Sequence, residues 1–474
     1  MSSEVKSLSV FSLAMISVAA VLSVRNFPSM AVYGWASIGW YVLGTLLFLL
    51  PITLASAELA TGWSKGGGVY LWVKEAFGER AGFIAVFCEW SNNLVWFPSV
   101  LSFIAGTFAF AINPALANSG LYMFCAMMVA FWGATLVAWT GSQVTAKFNN
   151  FGVIAGSFVP TALLIGMALL FVGEGDPIAL SPFSLPALLP DLNIGTLPFV
   201  ATIVLMFAGM EMAGFHALAV KDPGVRFPRA MALAATLIFF ISVLGTLALA
   251  FVIPTDQLNL AAGVMQAFEA FLTKFNISWL VPVMAVLLSV GGLALLISWL
   301  VGPVLGLGVT SAAGDMPPVT RRLNKAGVPT GMLIIQGMIA TGFSLLYVFA
   351  PSVNAAYWIL SALTVLLLCI TYMLVFAAVI RLRYIRPDVP RAYKIPGGVA
   401  GVWLVGGVGF LATAFAFIVG CLPTADIKMS TPIYVLVMLG GTALLSIVPV
   451  LVILHYRKPS WVATPEELKA LGAD

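Results

Sequence analysis

Charged residues are scarce in this chain. Of its 474 residues only 8% are Asp, Glu, Lys or Arg, whereas 61% are hydrophobic, and the mean hydropathy is +1.07. A soluble domain of this length could not be solvated with so few charges on its surface, so that class is excluded. Most apolar runs reach about twenty residues, the length that crosses the hydrocarbon core of a bilayer as a helix. The composition therefore predicts an all-α polytopic membrane protein embedded in the lipid bilayer.

Histidine and cysteine are also rare. The two His and four Cys residues show no metal-ligand spacing. No nucleotide-binding motif, paired catalytic carboxylates or soluble output domain is evident in the sequence. We therefore expect no metal, no cofactor and no nucleic-acid partner, and the sequence disfavours an intramembrane enzyme or a receptor.

The apolar runs predict twelve spans with the N-terminus in the cytoplasm. In that orientation 19 of the 22 Lys and Arg residues lie on the cytoplasmic side, Lys274 and Lys428 lie outside, and Arg25 lies within the first span. This bias follows the positive-inside rule. We therefore expect a multi-pass protein of the cell (inner) membrane with both termini in the cytoplasm. The predicted spans are residues 8–36, 37–60, 81–112, 120–140, 146–173, 197–218, 229–253, 277–309, 329–350, 353–381, 400–422 and 431–455.

Two of the predicted spans are interrupted. The first reads VLSVRNFPSM at its centre, where Pro28 cannot donate a helical hydrogen bond and Arg25 and Asn26 are polar at membrane depth. The sixth contains FAGME, where Gly209 loosens the helix and Glu211 places a carboxylate in the hydrocarbon. Glycine- or proline-interrupted spans at matching positions of two halves point to a transporter binding site.

Interrupted helices five spans apart predict a five-plus-five inverted repeat within a single transmembrane domain that covers residues 1–474. The predicted parts are repeats at about 8–173 and 197–381, extra helices at about 400–455, and a short cytoplasmic tail at 456–474.

Polar groups in the spans are the candidates for a site. An ionisable residue within a span is a functional-site hypothesis, so Glu211 is predicted to contact substrate or carry a proton; a hydrogen bond across helices is the structural alternative. Arg25 either pairs with a buried carboxylate or faces a substrate carboxylate. Glu89, Asn92 and Asn93 share one face of the third span and either bond a neighbouring helix or line a pocket.

Other residues are weaker candidates. Trp299 lies among glycines in the eighth span, where it is placed to cap a pocket, although packing is the alternative. His216 follows Glu211 by about one and a half turns and is predicted, together with Glu211 and Glu89, as a proton-path or pH-sensing residue. Glu58, near the cytoplasmic end of the second span, is interpreted as structural.

Three stretches carry a family resemblance: KGGGVYLWVKEAFGERAGF, FAGMEMAGFHALAVKDPGVRFPRA and DMPPVTRRLNKAGVPTGML. With them the chain resembles the amino acid/polyamine/organocation (APC) superfamily, over nearly its whole length. The resemblance implies the LeuT-type fold, with helices 1 and 6 broken, and leaves room for a homodimer, since dimers occur among the members. Similarity to the family pattern also implies substrate contacts at Phe207, Ala208, Glu211, Asn92, Asn93 and Trp299.

The first span departs from the family pattern. The usual G-S-G signature aligns with Val21-Leu22-Ser23, and the run SVRNFPSMAVYG is instead similar to the glutamate/GABA antiporter branch. Ser23, Arg25 and Asn26 are therefore carried over as substrate-binding candidates, while how a substrate's carboxylate and amine are held stays open.

The predicted function is exchange. Proton-coupled relatives often carry a lysine in the fifth helix, at a place where this chain has Gly156. The resemblance therefore implies a plasma-membrane antiporter that exchanges an amino acid for a related amino acid or its decarboxylated amine by alternating access. The alternative is proton-coupled or facilitated uptake of an amino acid or polyamine. Glu89 and Glu211 indicate an amine-bearing substrate and Arg25 an anionic one, so the substrate itself stays open.

Overall fold

The structure is a computed structural model that describes residues 9–63, 68–140, 151–152, 154–190, 197–211, 222–312, 314–424, 427 and 429–464. The described residues form helices and connecting turns, without a β-strand. The helices are α1 Val10–Val21, α2 Val24–Ala31, α3 Ala36–Gly62, α4 Gly68–Phe77, α5 Glu79–Ala109, α6 Gly120–Trp139, α7 Ile154–Gly173, α8 Ala201–Phe207, α9 Pro223–Val252, α10 Gly263–Lys274, α11 Val281–Ala312, α12 Thr330–Phe349, α13 Val353–Ile385, α14 Gly398–Gly420 and α15 Thr431–Tyr456.

The prediction of a polytopic helical membrane protein is confirmed. Nine helices in the described part are long and apolar enough to cross a membrane, and α1 with α2 makes a tenth. Helix α5 is 31 residues long but is not among them, because its polar stretch at 89–93 lowers its mean hydropathy. Helix α8 is cut short at Phe207, and residues 212–221 lie outside the described part.

The break in the first span lies at Leu22 and Ser23. Helix α1 ends at Val21, the two following residues have extended backbone, and α2 begins with a 3-10 turn at Val24, bent by 43° from α1. Pro28 does not make this break. It lies in the first turn of the helical segment that starts at Phe27, where its missing N–H is not needed.

The break in the sixth span lies at Ala208 and Gly209. Helix α8 ends at Phe207, and Gly209 has φ +109°, a conformation that residues with a side chain rarely adopt. A Cβ at this position would lie 3.0 Å from the carbonyl oxygen of Ala20. The break in the sixth span therefore lies directly against the last turn of α1, which brings the two interruptions together.

Helices α5, α11 and α13 form the centre of the protein, and α14 and α15 its edge. Helix α5 is buried along nearly its whole length and packs on both α11 and α13. In the most apolar window of α13, 72% of the residues are buried, against 33% in α14 and 22% in α15. The last two helices therefore present most of their surface to lipid, whereas α8 packs on α13, and α1 and α2 pack on α9.

Candidate functional site

A cavity of about 60 Å³ lies where the two breaks meet the central helices, room for roughly four waters. Its walls come from the break between α1 and α2, from α5, from the turn after α8, and from α11 and α13. Nine predicted site residues line it: Ser23, Arg25, Asn26, Glu89, Asn92, Asn93, Ala208, Glu211 and Trp299. The tertiary structure thus brings residues from four separate parts of the chain to one place.

Phe207, a predicted site residue, does not line this cavity. Phe207 is fully buried, and its ring centroid lies 6.1 Å from that of Tyr41, in the packing between α8 and α3. Close to it is Gly44, whose place leaves no room for a side chain beside Ile203. His216 lies outside the described residues.

Arg25 is a buried cation with no carboxylate partner among the described residues. It is only 1% exposed, and its Nη1 donates to Ser99 Oγ (2.7 Å) and to Tyr357 Oη (3.2 Å). Its guanidinium carbon lies 5.6 Å from the centre of the Trp96 ring, within the range of a cation–π contact. Its Nε has no hydrogen-bond acceptor among the residues that the structure describes. Of the two interpretations of Arg25, pairing with a buried carboxylate therefore has no counterpart in the described structure.

Glu211 is a buried carboxylate tied to its own break and to α13. Its Oε2 accepts hydrogen bonds from Tyr372 Oη (2.9 Å) and from the backbone N–H of Gly209 (3.2 Å), and the residue is 8% exposed. It makes no ion pair with any described residue. Glu211 thus makes the hydrogen bond across helices of the structural alternative, and it also lines the cavity.

The polar stretch of α5 supplies the opposite wall. Asn93 Nδ2 donates to the carbonyl oxygen of Glu89 (2.7 Å), whereas Asn92 Oδ1 is buried and no group in the described part of the chain donates to it. A buried acceptor without a donor costs roughly 1–3 kcal/mol, so this atom is a natural place for a ligand's N–H.

The tryptophan predicted to cap a pocket has a partner. Trp299 on α11 lies edge-on to Trp96 on α5, with ring centroids 5.8 Å apart. Both line the cavity, and together they form its apolar side.

Glu58 shows how a structural carboxylate is treated in this chain. Its two oxygens accept from Arg383 Nε and Nη2, the latter at 2.6 Å, and Oε2 also accepts from the backbone N–H of Ile395 (2.8 Å). Arg391 Nε lies 3.4 Å from Oε1. Its two cations and backbone donor satisfy Glu58, in keeping with the structural interpretation, whereas the carboxylates of the cavity have no such cations within the described ranges.

Sequence reasoning missed four residues that hold the cavity together: Trp96, Ser99, Tyr357 and Tyr372. The first two lie four and seven residues after Asn92, on the same helical face, so spacing could have identified them. The tyrosines offered no such signal, because their partners, Arg25 and Glu211, are more than 150 residues away in the chain.

A second, smaller space adjoins Ser23 and Arg25 and is bounded by α7 and α11 at Gly156 and Gly291. A Cβ at Gly156 would lie 2.3 Å from the backbone nitrogen of Gly291, so the two helices touch backbone to backbone. A lysine at 156 therefore has no room in this arrangement. No group of three His, Cys, Asp or Glu residues able to hold a metal occurs in the described ranges.

The sequence profile of the family described as amino acid permease matches residues 8–443. The chain belongs to the amino acid permease family. The resemblance to the APC superfamily is thereby confirmed, and membership makes the protein a membrane transporter rather than an enzyme.

Several family members are similar over most of the chain. An uncharacterized transporter of Legionella pneumophila is 36% identical over 94% of this chain and 96% of its own length. A glutamate/gamma-aminobutyrate antiporter of Lactococcus lactis is 32% identical over 98% of this chain and 94% of its own length. A probable agmatine/putrescine antiporter of the same species is 24% identical over 81% of each chain.

Proposed function

We propose that the protein is an antiporter of the cell membrane that exchanges an amino acid for a related amino acid or its decarboxylated amine by alternating access. The observation that carries this proposal is the cavity at the two breaks, which holds one buried cation and two carboxylates without ion-pair partners among the described residues. The names of two relatives support exchange, since both are antiporters of small amino or amine compounds.

The proposed architecture is the LeuT-type fold with twelve spans and a five-plus-five inverted repeat. It is supported by the breaks after α1 and α8, by the central position of α5, α11 and α13, and by the peripheral position of α14 and α15. The two spans that complete the number twelve are α5 and the span that α8 begins. The proposed orientation has both termini in the cytoplasm, and the distribution of Lys and Arg supports it.

In this mechanism the cavity alternates between the two sides of the membrane. Glu211 and Arg25 contact substrate, Trp96 and Trp299 close around it, and the tyrosines of α13 connect both breaks to one rigid helix. Because an interrupted helix leaves backbone N–H and C=O groups unpaired at its ends, both breaks can offer further hydrogen bonds to a substrate.

Counterflow in proteoliposomes tests exchange. Vesicles loaded with unlabelled glutamate, 4-aminobutanoate, arginine or agmatine are diluted into labelled amino acid, with empty vesicles as the control. Exchange predicts that at least one internal compound accelerates labelled uptake severalfold. If no internal compound accelerates it, the antiporter proposal is wrong.

Proton-coupled uptake remains the second candidate, and Glu89 and Glu211 are the observation in its favour, because a carboxylate without a cation partner can take up a proton. The missing lysine at Gly156, with no room for one, supports exchange instead. Uptake into empty vesicles under an imposed pH gradient separates the two: symport predicts accumulation, and exchange predicts none.

A further inference from the structure

A second, larger space lies between helices α3, α8 and α14, and we call it the lateral groove. Its volume is about 640 Å³, and it is lined mainly by residues in 40–48 of α3, 203–204 of α8 and 408–416 of α14. It shares no lining residue with the cavity at the two breaks. Its α3 wall contains a π-helical turn at Thr45–Leu49, a rare irregularity that often occurs at functional sites. Ligand sites typically have volumes of roughly 300–1,000 Å³, so the groove is large enough to hold a ligand.

The walls of the lateral groove suit an apolar occupant. None of the described residues that line it is charged or carries a hydroxyl group. Apolar cavities stay free of water and bind apolar molecules instead. On the rim, Leu411 is 69% exposed and Phe415 46%, and both belong to α14, a helix long and apolar enough to span the membrane. The groove therefore opens to the hydrocarbon of the bilayer, where lipid acyl chains are the molecules available to fill it.

One polar group lies at one end of the lateral groove. Trp40 is only 4% exposed, and its Nε1 has no acceptor among the described residues, although buried indole N–H groups usually have one. Phe48, at the other end of the α3 wall, lies eight residues further on, about 12 Å by helical rise. A phospholipid acyl chain has the matching polarity, since its ester carbonyl is an acceptor at one end of an apolar chain.

We propose that the lateral groove binds one acyl chain of a membrane phospholipid, with the ester carbonyl accepting a hydrogen bond from Trp40 Nε1. The chain lies between α3 and α14 and covers α8. This site is separate from the substrate cavity, so the inference does not depend on exchange or on the identity of the substrate.

A chain in the lateral groove would contact the residues that support the second break. Ile203 lines the groove and packs against α3 at Gly44, where a Cβ would lie 2.3 Å from Ile203 Cγ2. Phe48 lines it too, and its ring lies edge-on to that of Tyr372, with centroids 5.0 Å apart. Tyr372 in turn donates to Glu211. The bound chain therefore fills space behind α8 and behind the tyrosine that holds the second break.

Photolabelling tests the proposal on the full-length protein. The protein is reconstituted in phosphatidylcholine vesicles that contain a trace of phosphatidylcholine with a diazirine in one acyl chain, and the adducts are mapped by mass spectrometry. Adducts should concentrate in 40–48, 203–204 and 408–416. Ala412→Trp fills the groove and should lower labelling there about tenfold. Ala414→Trp is the matched control, because this half-buried alanine of the same helix is not among the lining residues.

Competition between two unlabelled lipids tests the hydrogen bond. An ester-linked phosphatidylcholine should displace the label severalfold better than its ether-linked analogue, which lacks the carbonyl acceptor. Trp40→Phe keeps an aromatic ring but removes the N–H, so it should abolish this preference while the groove is still labelled. This variant and the wild-type adduct map test the proposal even where Ala412→Trp does not fold.

The proposal is overturned by adducts spread evenly over the exposed faces of α14 and α15, or by equal labelling of Ala412→Trp and Ala414→Trp. Both results would describe ordinary solvation by lipid. Protection of the groove from the label in a protein that migrates as a dimer would assign the groove to a second copy of the chain and would also overturn it. Equal competition by ester- and ether-linked lipids in the wild type would overturn the role of Trp40.

Discussion

Each of the two helix breaks is bound by a tyrosine of α13, but the first carries a cation and the second a carboxylate. At the first, Tyr357 Oη accepts from Arg25 Nη1 and donates to the carbonyl oxygen of Arg25 (3.4 Å). At the second, Tyr372 Oη accepts from the backbone N–H of Gly209 (3.2 Å) and donates to Glu211. Each tyrosine of α13 thus both accepts from and donates to its break. One helix therefore holds both interruptions, a cationic one and an anionic one.

The breaks differ in what they demand of the backbone. Ser23, at the first, has φ −132° and ψ 115°, an extended conformation open to any residue. Gly209, at the second, has φ +109° and lies against the carbonyl of Ala20. The first break is thus defined by its side chains and the second also by its backbone, which explains how the first can depart from the family's glycine signature and still form.

The largest expected effect comes from removing the charge at the second break. In Glu211→Gln the amide oxygen can still accept from Tyr372 and Gly209, so the fold is retained while the negative charge is lost. Exchange should fall by about 10- to 100-fold, with the thermal midpoint little changed. Glu174→Gln, which changes a half-exposed carboxylate directly after α7, is the control. Unchanged exchange rates between about pH 5 and 8 would remove Glu211 from the mechanism.

Substitution of Gly209 tests whether the second break depends on its backbone conformation more than the first does. Gly209→Ala forces a side chain into a positive-φ position and against the Ala20 carbonyl, at a cost of about 1–3 kcal/mol. Ser23→Ala removes no described hydrogen bond and should cost less than about 1 kcal/mol. Thermal unfolding in detergent compares the two. Equal losses would contradict the claim that only the second break depends on its backbone.

Removing the hydroxyl of a tyrosine of α13 should also cost more stability at the second break than at the first. Tyr372→Phe removes an acceptor and a donor that serve the backbone and carboxylate of the second break, at a cost of roughly 1–2 kcal/mol. Tyr357→Phe also removes an accepted and a donated bond, but these are long (3.2 and 3.4 Å), and Arg25 Nη1 keeps its 2.7 Å bond to Ser99 Oγ, so roughly 0.5–1 kcal/mol is expected. Unfolding midpoints of the two variants, measured side by side, check the order. A larger loss in Tyr357→Phe would reverse the comparison.

The most local effect is expected at Ser99, which orients Arg25 without touching the second break. Ser99→Ala should lower stability by about 0.5–1.5 kcal/mol and slow counterflow severalfold, because the guanidinium loses its 2.7 Å bond. Ser102→Ala, one turn further along α5, removes a bond to the backbone of Ser99 and none to Arg25, so it serves as control. Equal counterflow rates in the two variants would show that the hydroxyl of Ser99 does not position the guanidinium.

Local sequence patterns identified more of the residues that line the cavity than of the residues that hold them in place. Arg25, Glu89 and Glu211 stand out in the sequence because ionised groups are rare in apolar spans, and all three line the cavity. Pro28 stands out in the sequence as a helix breaker but does not cause the first break, because a proline at the start of a helix is favourable. Phe207 was placed in the site by resemblance, but the last turn of α8 directs it toward Tyr41 instead.

The sequence by itself determined the class of protein, the interruption of two spans and the identity of the charges within them, because charge, proline and glycine act on the chain locally wherever they occur. Only the tertiary structure decided which charges stay unmatched. Glu58 meets two arginines, whereas Arg25 and Glu211 each meet a tyrosine of α13. Pairing depends on distances between helices far apart in the chain, which no local pattern encodes, and it separates a structural carboxylate from those that line the cavity.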